Sequence, residues 1–185
     1  MRRRAVVAGC SAGGMQAVAA LLAQLSPGFR LPLIIVQHLH REQGDYLFRF
    51  YASCTHLAVQ EAVEKEKILP GRVYVAPPDY HLLIERDETF SLSVEEKVNF
   101  CRPSIDVLFE SAADVYGPAL VGVVLTGANS DGARGLKRIK DCGGLALVQE
   151  PETAQFPEMP RCAQLCAPAD QALPVEALGR LLNTL

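Results

Sequence analysis

The chain has 185 residues, 49% of them hydrophobic, enough for one sizeable core, and we read it as a single domain over 1–185. A formal net charge of -3 leaves no overall basic footprint, which argues against nucleic acid as a partner. No apolar stretch approaches the roughly 20 residues that span a bilayer, so no integral membrane segment is expected.

The N-terminus, Arg2-Arg3-Arg4 ahead of Val7-Ala8-Gly9-Cys10, mimics a lipoprotein leader. Its apolar part is far shorter than the roughly 7–15 residues of a signal h-region, and a cytoplasmic location is expected. The six cysteines are irregularly spaced and read as buried reduced thiols. Cys162 and Cys166 have no matching Cys/His pair elsewhere to complete a zinc site.

The first strand-like run, Ala5–Ala8, stops at Gly9. Ser11 and two glycines follow, and then a helical stretch over Gly13–Leu25. A strand that turns sharply into a helix holds its turn at the sheet's C-terminal edge, beside the positive end of a helix dipole. Such a turn either cradles a phosphate or displays a nucleophilic hydroxyl beside backbone N–H groups. Next come a strand at Leu33–Val36, a helix at Asp45–Ser53, and strands at Ala58–Val63 and Arg72–Ala76. The runs His81–Glu85 and Phe90–Val94, split by Arg86-Asp87-Glu88-Thr89, read as an antiparallel hairpin inserted into or beside the sheet. The Ser104–Tyr116 segment places Ile105, Leu108, Phe109, Ala112 and Tyr116 on one helix face, with Ser104 as cap and Gly117-Pro118 as stop. Strands at Leu120–Leu125 and Leu145–Gln149 and helices at Ala133–Asp141, Met159–Leu165 and Val175–Leu182 complete the chain, with Pro174 in the last helix's first turn. The fold class is therefore α/β: a doubly wound, mostly parallel sheet with an antiparallel hairpin and helices on both faces.

In such sheets, sites gather at the C-terminal strand ends. Three apolar runs here end in Ser11, in Gln37-His38 and in Thr126-Gly127-Ala128-Asn129-Ser130-Asp131-Gly132. A hydroxyl, an imidazole and a carboxylate at three strand ends are the parts of a nucleophilic triad. Each has a blander alternative. Gly9-Cys10-Ser11-Ala12-Gly13 fits the G-x-S-x-G elbow, but a phosphate turn or helix cap would also suit it. His38 could be a satisfied core or surface histidine, and Asp131 could simply cap the helix that follows. Cys10 should point away from the turn, because strand neighbours face opposite ways. His40 is a second imidazole candidate, whereas His56 and His81 suit surface or core. Asp106 and Asp114 look solvated on a helix, and Asp79 looks like a turn residue. The phosphate cradle fits less well: the glycines read G-x-x-x-G-G, no acidic residue ends the second strand, and the P-loop lysine is missing.

These residues resemble the catalytic domain of the chemotaxis protein-glutamate methylesterases (CheB-type). Gly9–Gly14 looks like the family's nucleophile turn, Gln37-His38 like its histidine segment, and Leu125–Ala133 like its aspartate loop. Leu69–Pro77 and Arg102–Phe109 match as well, in the right order. The resemblance implies a serine hydrolase that removes methyl esters from glutamyl side chains of chemoreceptors and deamidates certain receptor glutamines, using no metal or organic cofactor. It assigns Ser11 as nucleophile, His38 as base and Asp131 as orienting carboxylate. Backbone N–H groups around Ala12 and Gly13, and near Ala128, would hold the oxyanion, with Gly13 and Gly14 allowing close approach of substrate. An ordinary imidazole pKa of about 6.5 would suit base chemistry near neutral pH.

There are departures. The family usually has threonine at Ala12, and methionine and glycine at Ala128 and Ser130. Leu39–Gly44 replaces a proline-containing stretch. They motivate two alternatives: a degenerate domain that binds receptors or signalling proteins without turnover, and a nucleotide-binding α/β protein. The catalytic motif begins close to Met1, so the family's receiver domain is expected to be absent, and with it control by phosphorylation in cis.

Overall fold

In a computed structural model, which describes residues 3–38 and 44–185, seven parallel strands form one sheet. In chain order the elements are β1 (Ala5–Cys10), α1 (Gly14–Ala23), β2 (Leu33–Gln37), α2 (Gly44–Ser53), β3 (Ala58–Glu61), β4 (Arg72–Val75), β5 (His81–Ile84), β6 (Phe90–Ser93), α3 (Ile105–Tyr116), β7 (Leu120–Val124), α4 (Ala133–Asp141), β8 (Leu145–Gln149), α5 (Glu158–Cys166), β9 (Gln171–Leu173) and α6 (Val175–Leu182). The large sheet has the order β3-β4-β2-β1-β7-β8-β9, and every pair in it is parallel. From β1 the chain winds out through β2 on one side and later through β7 on the other. The C-terminal end of β1 is thus the switch point where such sheets hold their sites.

Both faces of the sheet are covered, which is why β1, β2 and β7 are buried at every position. Alternate side chains of β1 go to opposite cores. Ala5 and Val7 pack with α3, α4, α5 and the hairpin, while Val6, Ala8 and Cys10 pack with α1, α2 and α6. In β2, Ile34 and Val36 take the α3 side and Leu33 and Ile35 the α1 side. Continuing the alternation by one step assigns Ser11 and His38 to the same side, that of α3.

The hairpin β5–β6 pairs only with itself and lies beside the parallel sheet, with Leu82, Ile84 and Phe90 in the α3-side core. Three short pieces went unread in the sequence: β9 and two 3-10 turns at Gly117–Ala119 and Pro151–Thr153. β9 is an edge strand of three residues, too short for alternation to show. Pro174 is the N-cap of α6, one position before its first turn. All six cysteines are free, but contrary to expectation only Cys10 is buried, because the others sit on helices and loops at the surface of the two cores. No helix among the described residues is long and apolar enough to cross a membrane.

Candidate active site

The first candidate residue sits between two neighbours. Cys10 of β1 is the register partner of Gln37 of β2, and the His38 N–H donates to the Cys10 carbonyl at 3.1 Å. On the other side, the Ser11 N–H donates to the Thr126 carbonyl at 3.0 Å. The turn after Ser11 is closed by the Gly14 N–H donating to the Ser11 carbonyl at 2.8 Å. Gly13 has φ +74°, which a side chain would resist. A Cβ at Gly14 would lie 2.7 Å from Cys10 Sγ, and one at Gly13 would lie 2.7 Å from Gln155 Oε1, so both positions are closely packed.

Thr126 ties this turn to the rest of the site. Its hydroxyl lies 3.0 Å from the Ala12 carbonyl and 3.2 Å from the Phe156 carbonyl, and it accepts the Phe156 N–H at 2.9 Å. Its own N–H donates to Gln149 Oε1 at 2.9 Å.

His38 and Asp131 meet directly: Nε2 lies 2.9 Å from Asp131 Oδ2. Asp131 is fully buried and accepts four more donors. These are the Ile105 N–H at 2.7 Å on Oδ2, and Ser104 Oγ at 2.8 Å, Asn99 Nδ2 at 2.9 Å and the Asp106 N–H at 3.2 Å on Oδ1. Two expectations are corrected here. Ser104 does not cap α3 with its side chain but donates its hydroxyl to Asp131, and Asp131 satisfies the first N–H groups of α3 from a distant loop. Nor is Asp131 the cap of α4, whose N-cap is Gly132. The loop turns back because Asn129 Oδ1 accepts the Asp131 N–H at 3.0 Å.

Burial pushes the Asp131 carboxyl up, but the donors, His38 and Asn99 foremost, outweigh it and hold the group below the usual 3.8. At His38 burial works against the charged ring, yet hydrogen bonds with Asp131 and Cys101 prevail and raise its pKa from 6.5 to about 9. The expectation of an ordinary histidine titrating near neutrality is therefore corrected: the imidazole is held charged by a fully ionised, buried partner.

With Nε2 on Asp131, the other ring nitrogen, Nδ1, faces Asn129 Nδ2 at 3.4 Å and Cys101 Sγ at 3.6 Å. Among the described residues, no group hydrogen-bonds the Ser11 hydroxyl. The structure thus joins two of the three candidate side chains and sets the third at the adjacent strand end. The N–H groups of Ala12, Gly13 and Ala128 also find no acceptor among the described residues.

The remaining candidates fall elsewhere. Cys10 is buried on the α1 side, and burial pushes its thiol up, which disqualifies it as a nucleophile. His40 lies outside the described residues. His56 is exposed. His81 is buried, accepting the Ser104 N–H on Nδ1 at 3.2 Å with Nε2 3.0 Å from the Glu96 carbonyl. Asp79 has φ 64°, as a turn residue can. Asp114 is exposed and pairs with Arg138, but Asp106, expected to be solvated, is buried. Asp106 accepts the Gly135 N–H at 2.7 Å and Asn99 Nδ2 at 2.9 Å, and burial raises its pKa. A spacing of i, i+3 on an amphipathic helix could not reveal that α4 packs over this position.

Sequence reasoning also missed Asn99, Cys101 and Ser104 as neighbours of the His38–Asp131 pair, since nothing in their own spacing marks them. Ligand atoms of His38, Cys101 and Asp131 lie within 4.8 Å of one another. Even so, Cys101 and Asp131 address different ring nitrogens, and both Asp131 oxygens are taken by donors, so the set is organised for hydrogen bonding rather than for three-ligand metal binding.

The comparisons agree with this geometry. The family model for CheB methylesterase matches residues 6–182. A putative protein-glutamate methylesterase/protein-glutamine glutaminase of Leptospira interrogans is 51% identical over 181 residues, spanning 98% of this chain and 94% of that protein. The protein-glutamate methylesterase FrzG of Myxococcus xanthus is 36% identical, but the chain spans only 53% of its length. The crystal structure of the Thermotoga maritima CheB methylesterase catalytic domain superposes with a TM-score of 0.94 at 30% identity, covering 100% of this chain and 99% of that one. The chain belongs to the CheB methylesterase family of carboxylic ester hydrolases.

Proposed function

We propose that this chain is a single catalytic domain that hydrolyses glutamyl methyl esters on a chemoreceptor-type protein and deamidates glutamine by the same acyl chemistry, acting in the cytoplasm through Ser11, His38 and Asp131. The observation that carries the reading is the bond from His38 Nε2 to a buried carboxylate anchored by α3. It fixes one ring nitrogen and leaves the lone pair of the neutral ring on Nδ1, at the strand end next to Ser11.

In this scheme Ser11 Oγ attacks the ester carbonyl as its proton passes to His38. Asp131 stabilises the imidazolium. The C–O bond to the methoxy group breaks, and methanol leaves with the proton from His38. Water then attacks the glutamyl-enzyme, His38 again taking the proton, to release the free glutamate and restore Ser11. The N–H groups of Ala12, Gly13 and Ala128 stand ready for the oxyanion, each such donor being worth roughly 10²–10³ in rate. The scheme uses no metal or organic cofactor. A site with an ionised carboxylate on the base and free N–H groups beside the hydroxyl favours turnover over a binding-only role.

The test is methanol release from a methylated receptor fragment by the wild-type chain and by Ser11→Ala. Release is expected from the wild type alone; equal release by both would remove Ser11 from the mechanism.

A further inference from the structure

A two-residue turn stands next to the His38–Asp131 pair. Val98 and Cys101 exchange both backbone hydrogen bonds, N–H to carbonyl, at 3.2 and 2.9 Å. The two residues between them, Asn99 and Phe100, have φ of 50° and 63°. Tight turns of this kind need positive φ at both central positions, and asparagine followed by glycine is the sequence that accepts it readily. Asn99 conforms. Phe100 does not: a bulky residue at positive φ is strained, and no burial compensates it, because the side chain is 96% exposed.

The turn is held firmly in place. Asn99 Nδ2 donates to the buried carboxylates of both Asp131 and Asp106 at 2.9 Å. Cys101, next in the chain, has its Sγ 3.6 Å from His38 Nδ1. The same turn that supports the catalytic carboxylate thus holds a phenyl ring out in water, within two residues of contacts to both His38 and Asp131. Asn99 also borders an open groove of about 500 Å³, lined further by Ser130, Arg134 and Leu165, and Leu165 is itself 86% exposed. Strain at a functional site, an exposed aromatic ring and a rigid anchor coincide at one position.

We propose that Phe100 is a specificity-determining residue which grips an apolar patch of the protein substrate beside the esterified side chain. The proposal rests on the methylesterase reading above and deepens it: it names a contact by which the site selects an ester carried on a folded protein over a small free ester. A rigid aromatic ring suits this role because burying it on contact loses few rotamers.

The experiment compares wild type, Phe100→Gly and Phe100→Tyr in three measurements. The first is the ratio of kcat/KM on a methylated receptor fragment to kcat/KM on p-nitrophenyl acetate. The second is the Kd for the methylated fragment, measured in the Ser11→Ala background so that no turnover is needed. The third is Tm. Phe100→Gly, which suits the turn, is expected to raise Tm while lowering the ratio about tenfold through KM and weakening Kd by a similar factor. Phe100→Tyr is expected to stay near wild type. A ratio and Kd within twofold of wild type for Phe100→Gly would overturn the proposal, as would equal losses on both substrates. Failure of the methylesterase reading shows separately, as absent methanol release by the wild type, while the Kd still decides the role of Phe100.

Discussion

The Asp131 carboxylate receives the Ile105 backbone N–H at 2.7 Å, so the group that orients His38 is also the cap of α3, supplied from 26 residues away. The positive end of that helix and the carboxylate stabilise each other. The contact to His38 and the capping of α3 therefore rest on one carboxylate.

Replacing Asp131 should accordingly harm both. Asp131→Asn keeps the shape but can leave His38 in the wrong tautomer, and a loss of roughly 10³–10⁴ in kcat on a small ester is expected, as for other triads. Asp131→Ala also strips the cap and leaves Ser104 Oγ and two α3 N–H groups unmatched. It should lower stability by about 1–3 kcal/mol in urea denaturation. A stable, fully active Asp131→Ala would show the carboxylate to be idle.

The pH profile should be alkaline. With its pKa raised from 6.5 to about 9, His38 is protonated through the neutral range, and the base form grows as pH rises through that value. Small-ester hydrolysis should be half-maximal near pH 9, level off above it, and stand about a hundredfold below the plateau at pH 7. Cys101 is one of the groups that raise the ring's pKa, so Cys101→Ala should move the midpoint down toward 6.5. The same shift makes a linkage prediction. A folded pKa above the unfolded one stabilises the protein fully below about 6.5 and progressively less as pH rises toward 9. His38→Ala should remove that decline from the unfolding free energy.

Thr126→Val tests the tie between the turn after Ser11 and its neighbours. Valine keeps the shape but loses the hydroxyl that serves the Ala12 carbonyl and the Phe156 N–H. Thr126 is almost fully buried, so a loss of about 1–3 kcal/mol is expected, with a lower kcat as Ser11 loosens. Unchanged Tm and kcat would show the tie to be dispensable.

Gly14→Ala should cost about 1–3 kcal/mol through overpacking, since its Cβ would lie 2.7 Å from Cys10 Sγ. Adding Cys10→Ala removes the Sγ contact but keeps the Cβ, which would still lie 2.9 Å away, so only part of that stability should return. A double variant no better than Gly14→Ala would place the cause elsewhere.

The sequence laid out the elements that are regular over a turn or more. Ala133–Asp141, Leu145–Gln149 and Val175–Leu182 are found with the bounds that periodicity gives, and the apolar runs of β1, β2 and β7 end at the residues expected to carry chemistry. Strand ends are legible because burial on both faces demands an unbroken apolar run, and the run stops where the site begins.

Only the tertiary structure decided what surrounds those residues. Asp106 on a helical face, Asn99 and Cys101 in a tight turn and Ser104 before α3 have local patterns of solvated or capping residues. They become neighbours of His38 and Asp131 because α3 and α4 pack together on one face of the sheet and bring distant polar groups into a buried space. The imidazole's shift to about 9 has the same origin, since a pKa follows from desolvation and neighbouring charge, and neither exists until the chain is folded.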